Sequence, residues 1–380
     1  MYSLSRARPL VNKFDGVTLF FMVLVFIAFG VLMVYNVSVV ESFITFGDKF
    51  YFVKQQLIWA AVAITALIVS SKVPTKVWYI LGPLVFIAGL MLLIGVLIPG
   101  IGVKVLGARR WISIAGFSFQ PVEVMKFGLV FYLSKWLSKE RRFLSFLMLI
   151  VPIFGLVMLQ PDLGSGLILL SIAASMYIVS GKPFKHILWM LGGGIIGIGL
   201  LVVLSPYRLQ RLTTYLNPES DPLGKSYHIR QITIALGNGG LFGQGLGKSK
   251  QKYRYIPEAT TDSIFAIIAE ELGFVLCGII IIGYIVLLTK MRLWIRRVEF
   301  SPTAYLIGVG MISWIAAQVL VNLSSIVALI PLTGVPLPFI SYGGTALVMC
   351  TVAIGIVIGL TPIDEEKKPS SRPSRSLRHL

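Results

Sequence analysis

Acidic residues are scarce in this chain: Asp and Glu total 16 of 380. Four of them, Glu258, Asp262, Glu270 and Glu271, fall in YIPEATTDSIFAIIAEELGF at positions 255–274. A carboxylate within reach of a hydroxyl can act as a general base. Asp262 opens an apolar run. A helix starting near Thr261 would put it in the first turn, where the dipole favours an anion, so a structural reason for an acid there also exists. At 100° per residue Asp262, Ala266, Ala269 and Gly273 share one small-residue face. That face leaves room for a substrate beside the carboxylate. Glu270 points about 80° away and Glu271 nearly opposite, ~12–14 Å further along. They read as partners for Arg or Lys on other helices. Glu258 lies just upstream, where it and Asp262 are candidate ligands for a divalent cation.

Four other stretches carry groups that could act on an anionic substrate. In GARRWISIAGFSFQPVEVMKF, from Gly107 to Phe127, Arg109 and Arg110 suit bidentate phosphate contacts. Glu123 and Lys126 lie three apart on one helix face. A headgroup anchor with a surface ion pair is the plain reading. Charges inside the membrane boundary are costly, however, and usually face a polar cavity, which makes both residues candidate substrate contacts. In LQPDLGSG, Asp162 is a helix N-cap, a site residue or both. The glycine-rich ALGNGGLFGQGLGKSKQKYRYIPEATTD, from Ala235 to Asp262, contains GKS but is no P-loop. That pattern needs a glycine five residues before Gly247, and position 242 is Phe. Its Lys248, Lys250, Lys252 and Arg254 suggest a mobile basic loop that approaches an anionic headgroup. Finally, ALIPLTGVPLPFISYGGTAL, from Ala328 to Leu347, is broken by proline and glycine. Irregular backbone at membrane depth must be buried in protein or line a cavity. A re-entrant or broken segment is expected there, with Ser341 a candidate substrate contact.

The elements that must position these groups are membrane helices. Hydrophobic residues make up 56% of the chain and charged ones 13%, against about 25% charged in soluble domains. Apolar runs of roughly 20 residues recur, the length that crosses a bilayer core. An all-α polytopic membrane protein with about ten spans is expected, near 17–37, 55–71, 78–98, 122–138, 144–160, 163–181, 187–205, 264–289, 303–325 and 341–360. Only QPD separates the fifth and sixth, so one or both are tilted or broken.

The net charge of +18 would suggest nucleic acid in a soluble protein. Here the surplus sits mainly in short loops and the tail, as the positive-inside rule requires, so no nucleic-acid partner is expected. Arg6, Arg8 and Lys13, then Lys72 and Lys76, Lys135 to Arg142, Lys182 and Lys185, Lys290 to Arg297 and the tail alternate to share one side. Both termini are therefore cytoplasmic. Residues 1–16 form the N-terminus, 17–360 the membrane domain and 361–380 a polar, disordered tail. Two outer loops remain, 99–121 and 206–262, the second a large one between the seventh and eighth spans. At about 55 residues it is marginal as an independent domain and is expected to pack on the membrane domain and line a site. Cys277 and Cys350 lie in apolar segments, which disfavours a disulfide or thiolate metal site. The first apolar run reads as a retained span, with no cleavable signal evident.

These pieces, in this order, resemble the SEDS family, the polytopic proteins FtsW, RodA and SpoVE of division, elongation and sporulation. GARRW, QPVEVMK, QPDLGSG, YLNPESDPLG, GNGGLFGQGLGKSKQKY, PEATTDSIFAIIAEELG and PLPFISYGGT each look like family motifs, and the likeness runs from the first span to Leu360. It implies a peptidoglycan glycosyltransferase that polymerises lipid II outside the cytoplasmic membrane and works with a class B penicillin-binding protein. The family's essential aspartate, in Thr-Asp-Phe-Ile-Phe, matches Asp262 in Thr261-Asp262-Ser263-Ile264-Phe265. Two positions depart: Ser263 replaces the usual Phe, and Thr260 replaces a common His two before the Asp. FGDKFYFVKQQLIWA favours the FtsW type, hence a septal location and other division membrane proteins as partners, while LNPESDPLG also fits RodA. An α-linked donor giving a β-linked product implies inversion, with Asp262 as the single base and undecaprenyl pyrophosphate leaving. Arg109 or Arg110, the basic loop, or a divalent Mg or Mn ion would neutralise that pyrophosphate, and no organic cofactor is implied. A lipid II flippase and a passive scaffold are the rival readings.

Overall fold

The computed structural model describes residues 14–105, 108–114, 117–139, 142–203, 205–217, 226–253 and 255–363. Arg6, Arg8, Lys13, Arg141, Arg254, most of NPESDPLG and the tail from 364 lie outside the described residues. Ten helices coincide with the ten apolar runs. They are α1 (Phe14–Phe46), α2 (Tyr51–Lys72), α3 (Thr75–Gly95), α4 (Pro121–Leu137), α5 (Phe143–Leu159), α6 (Leu163–Val179), α7 (Phe184–Val203), α10 (Ile264–Ile295), α11 (Pro302–Ile326) and α12 (Gly344–Gly359). Among the described residues five helical stretches are long and apolar enough to cross a membrane: Asp15–Phe46, Tyr51–Lys72, Thr75–Gly95, Ile264–Val298 and Pro302–Ile326. Helices α5, α6 and α12 are apolar but shorter.

The helices pack most extensively as α12 on α2, α3 on α4 and α11 on α6. Lipid tails are as apolar as leucine, so close packing rather than water exclusion must hold such helices together. The α2–α12 contact shows how. A Cβ at Gly355 would lie 1.9 Å from the Ser70 hydroxyl, so only glycine permits that approach.

Two expectations about the loops are corrected and one gains detail. The 99–121 segment is not plain loop, and the fold is not purely α. Strands β1 (Gly102–Val105), β2 (Ala108–Ile114) and β3 (Phe117–Phe119) form an antiparallel sheet in the order β1-β2-β3. Strands this short carry too little alternation to reveal themselves in sequence. The 206–262 segment contains two helices, α8 (Pro206–Leu216) and α9 (Tyr227–Gly239), of which α9 packs along α10. The tail does not begin at 361. The Thr361 amide donates to Thr75 Oγ1 at 2.7 Å and the Ile363 amide to Ser301 Oγ at 3.1 Å, so these residues are pinned to the starts of α3 and α11.

The irregular segment expected after α11 is present. Val335, Leu337, Phe339 and Ile340 are buried in it. Protein groups satisfy its backbone, as membrane depth demands. Gln318 Nε2 donates to the Pro336 carbonyl at 3.2 Å, Asn322 Nδ2 to that of Val335 at 2.8 Å, and the Tyr284 hydroxyl to that of Pro338. Cys277 and Cys350 are buried and unpaired with one another.

Candidate functional site

Asp262 does not sit in a helical first turn. Helix α10 begins at Ile264, and residues 257–263 form turns ahead of it. Glu258 makes the turn with φ +51°, a left-handed conformation that costs a non-glycine residue energy and often marks functional sites. Its carbonyl accepts from the Thr261 amide at 3.2 Å and the Ser263 amide at 3.3 Å. The small-face argument therefore fails for Asp262, because the helical rotation does not extend back to it.

The turn is held from several sides. Asn322 of α11 donates to the Asp262 carbonyl at 2.8 Å and to the Val335 carbonyl at the same distance. The Tyr342 amide donates to the Thr260 carbonyl at 2.9 Å. His228 Nε2 of α9 lies 2.9 Å from Ser263 Oγ. The Thr261 hydroxyl is 3.0 Å from Glu258 Oε2 and 3.3 Å from Asp262 Oδ1, so it sits between the two carboxylates. Asp262 is half-buried and Glu258 exposed.

That setting shifts proton affinities. Burial, and then the Glu258 charge, push Asp262 from 3.8 up to about 7, against its hydrogen bonds and the Arg211 guanidinium. Burial, then Arg211, hold His228 down at about 4. Near neutral pH His228 is therefore uncharged, while Asp262 is poised between its two states, as a general base should be.

Cationic groups face the carboxylate. A Cβ built at Gly334 would lie 3.8 Å from Asp262 Oδ2 and 3.9 Å from Arg110 Nη1, so the two charged tips approach each other across one glycine. Arg110, on β2, donates through Nε to the Gln160 carbonyl at 3.0 Å and through Nη2 to that of Pro161. The small sheet is thus tied to the α5–α6 junction. Arg211, on α8, donates to the Leu332 carbonyl at 2.8 Å, and its charge acts on Asp262. Arg211, His228, Thr261 and Asn322 were missed by sequence reasoning. The available signal was the amphipathic pattern of PYRLQRLTTYL within a segment too long to be a connector.

Other candidates sit differently. Asp162 is buried and caps α6, accepting from the Ser165 amide at 3.0 Å and from Gln120 Nε2 at 3.1 Å. Arg109 is half-buried on β2 opposite Lys104. Glu123 and Lys126 form a 2.6 Å ion pair. Both are at most 2% exposed, and Gln318 Oε1 and the Trp314 ring cover Lys126. The pair is sealed between α4 and α11. Ser341 is buried, and its hydroxyl accepts from the Leu337 amide at 2.9 Å, closing a turn of its own segment. Lys248 and Lys250 are exposed, but Lys252 is buried. It pairs with Glu271 at 3.1 Å, so its ammonium points inward to α10 rather than out with Lys248 and Lys250. Glu270 and Glu271 bind that loop more than other helices, because α10 breaks beside them and leaves backbone groups for the loop to fill.

A divalent cation fits in part. Among the described residues no group of three or more His, Cys, Asp and Glu side chains converges. Asp262 and Glu258 offer two carboxylates, and an ion such as Mg2+ is commonly held by one or two carboxylates plus substrate phosphates.

Comparison with known proteins identifies the frame around this site. The FtsW/RodA/SpoVE family model, described as cell cycle protein, matches residues 17–366. Stage V sporulation protein E of Bacillus subtilis (strain 168) is 40% identical over 348 residues, covering 89% of this chain and 94% of its own. A Coxiella burnetii protein named probable peptidoglycan glycosyltransferase FtsW is 40% identical over 346 residues, covering 87% and 92%. The crystal structure of Thermus thermophilus rod shape determining protein RodA superposes with a TM-score of 0.65 at 26% identity, covering 93% of this chain and 97% of that one. A chain in a structure described as "Structural coordination of polymerization and crosslinking by a peptidoglycan synthase complex" reaches 0.74 at 25% identity, covering 90% and 96%. With the match spanning all but the chain's ends, this protein belongs to the FtsW/RodA/SpoVE family.

Proposed function

We propose that this chain is a peptidoglycan glycosyltransferase that polymerises lipid II at the outer face of the bacterial cytoplasmic membrane. One observation carries the chemistry: a half-buried aspartate with a proton affinity near neutrality, between a second carboxylate and an arginine. The acceptor's 4-hydroxyl gives its proton to Asp262 as its oxygen attacks the anomeric carbon of the donor. The bond from that carbon to the pyrophosphate breaks, and undecaprenyl pyrophosphate leaves with the electron pair. One displacement inverts the anomeric centre. A pyrophosphate departs readily once its charge is met, so a second carboxylic acid is unnecessary. Arg110 and Arg211 face the place where that charge develops. A Mg2+ or Mn2+ ion held by Glu258, Asp262 and the pyrophosphate would supply further neutralisation.

The membrane domain, about 17–360, is read with all ten apolar helices crossing and both termini cytoplasmic. Asp262 then stands at the outer surface, where the donor and acceptor headgroups meet. The partner is a class B penicillin-binding protein, in keeping with the synthase complex described for a structural relative. Relatives named FtsW favour a role at the division septum; the elongation role of RodA is the second reading.

Purified protein with its transpeptidase partner and labelled lipid II tests this. Asp262→Asn is expected to make no glycan strands while remaining folded and partner-bound. Strands from that variant would remove Asp262 from the role of base. Leaflet exchange of lipid II, read in the same vesicles, separates polymerisation from transport: a flippase would move lipid II without making polymer.

A further inference from the structure

The strongest unassigned feature is a polar clasp away from the reacting groups. Helix α10 breaks at Gly273, with φ 75° and ψ −179°. A broken helix leaves carbonyls before the break and amides after it without partners, which is costly where water is scarce. The glycine-rich loop fills both sets. The Gln244 and Gly245 amides donate to the carbonyls of Glu270 and Glu271 at 3.0 and 2.9 Å. The Phe274 and Val275 amides donate to those of Gly240 and Leu241 at 2.9 and 3.1 Å.

The two glutamate side chains then grip the next part of the same loop. Glu270 accepts from the Ser249 hydroxyl and from the Gln251 amide at 3.3 Å. Glu271 accepts from the Ser249 amide at 3.2 Å, from Lys252 Nζ at 3.1 Å and from Asn36 of α1. Lys252 also donates to the Gly247 carbonyl at 2.7 Å. Glu270, Glu271, Ser249 and Lys252 are all buried. From Lys252 only a short run of chain leads to the Glu258 turn, and part of it, Ile256 and Ala259, is buried too. Asp262 has its own hold from α10 and Asn322. Among the described residues the carboxylate of Glu258, exposed and on a left-handed residue, bonds to Thr261 of its own turn, and the chain entering that turn arrives from the clasp.

We propose that Glu270, Glu271 and Lys252 are positioning residues for the transfer reaction, their clasp fixing the returning loop so that the Glu258 carboxylate faces Asp262. The consequence for acidity rests on the reading of Asp262 as the base. The charged or titratable groups around Asp262 are Glu258 from the turn, Arg211 from α8, Arg110 from β2 and His228 from α9 through Ser263. Of these, Glu258 and His228 lie on chain joined to the clasp, His228 through α9, whose Asn238 donates to Glu270 at 3.4 Å, and of the two Glu258 carries the charge that raises Asp262. Releasing the clasp removes an anion from beside Asp262 and lets the base lose its proton at lower pH.

The test compares Glu271→Gln with the paired Glu271→Gln/Lys252→Met variant, which does not strand the Lys252 charge. The first readout needs no activity: hydrogen exchange of backbone amides in 253–261 of the purified membrane protein. In Glu271→Gln, exchange there is expected to rise at least about tenfold while the helices stay protected. The paired variant, which also lacks the ion pair, should show a similar rise; protection restored there would trace the single variant's effect to a stranded lysine charge and overturn the proposal. The second readout is the acid limb of polymerisation, expected to move to lower pH in Glu271→Gln and to move no further when Glu258→Gln is added. Unchanged exchange in 253–261 overturns the proposal. So does loss of protection across the helices in both variants, which would make the clasp a folding element only, and so does an additive shift of the acid limb. If the wild-type protein makes no polymer, the catalytic reading fails, and exchange alone still decides whether the clasp holds the loop.

Discussion

Asp262 shows how one residue can trade stability for chemistry. Its native proton affinity, near 7, exceeds the ordinary 3.8. The folded state therefore keeps a proton that the unfolded state releases between those values. The stabilising contribution is complete below about 3.8 and is lost as pH rises through about 7. Asp262→Asn has no such dependence, so its thermal midpoint in detergent at pH 8 is expected to exceed that of the wild type. In the proposed mechanism activity runs the other way, because a base must be ionised. Polymerisation should fall as pH drops through about 7. Glu258→Gln removes the anion that raises Asp262, so its acid limb should lie at lower pH, as a pH–rate profile at saturating lipid II would reveal. His228 is neutral near pH 7, where the acid limb lies. It anchors Ser263 and does not replace the titrating neighbour that Thr260 lacks.

At the scale of elements, the break in α10 is the structural decision on which the outer face depends. Helical pattern alone treats 264–295 as one continuous span, and the apolar count agrees. The break follows from the approach of the glycine-rich loop, which takes up the freed backbone groups. A Cβ at Gly273 would lie 2.3 Å from the Gly243 nitrogen and 2.6 Å from the Leu241 carbonyl oxygen. Its φ of +75° adds strain for any other residue. Gly273→Ala is expected to lose at least about 2 kcal/mol, read as a fall in thermal midpoint together with proteolytic nicking of 240–252. The sheet plays the corresponding part on the other side of the mouth. By bonding Arg110 to the α5–α6 junction, it keeps a guanidinium facing Asp262 rather than leaving it on a free loop.

At the scale of the whole molecule, the Glu123–Lys126 pair joins α4 to α11 through Gln318. A buried pair contributes little net stability, but removing one partner strands a charge and costs about 3–5 kcal/mol. Glu123→Ala should therefore lower folded yield in detergent extracts. The neutral double variant Glu123→Gln/Lys126→Met should fold and retain polymerisation. Loss of polymer in a folded double variant would instead place the pair on the substrate path. With the proposed transpeptidase partner absent, the chain alone is expected to polymerise far more slowly than the complex in a matched lipid II assay.

Several properties were legible in the residues alone because they depend on local pattern. Apolar runs of bilayer length located all ten long helices, and Pro and Gly spacing located the irregular segment before α12. The scarcity of acids singled out Asp262. Short strands, the start of α10 and the break at Gly273 were not legible, because each is decided by backbone groups finding partners far along the chain. The same holds for the charges. Sequence spacing put Glu123 beside Lys126, but only packing decided that they would be sealed together. Only packing, too, turned Lys252 inward to Glu271 while bringing Arg110 and Arg211, both distant in sequence, toward the Asp262 carboxylate. Electrostatic environment depends on distance through space and on exclusion of water, and neither quantity exists until the chain has folded.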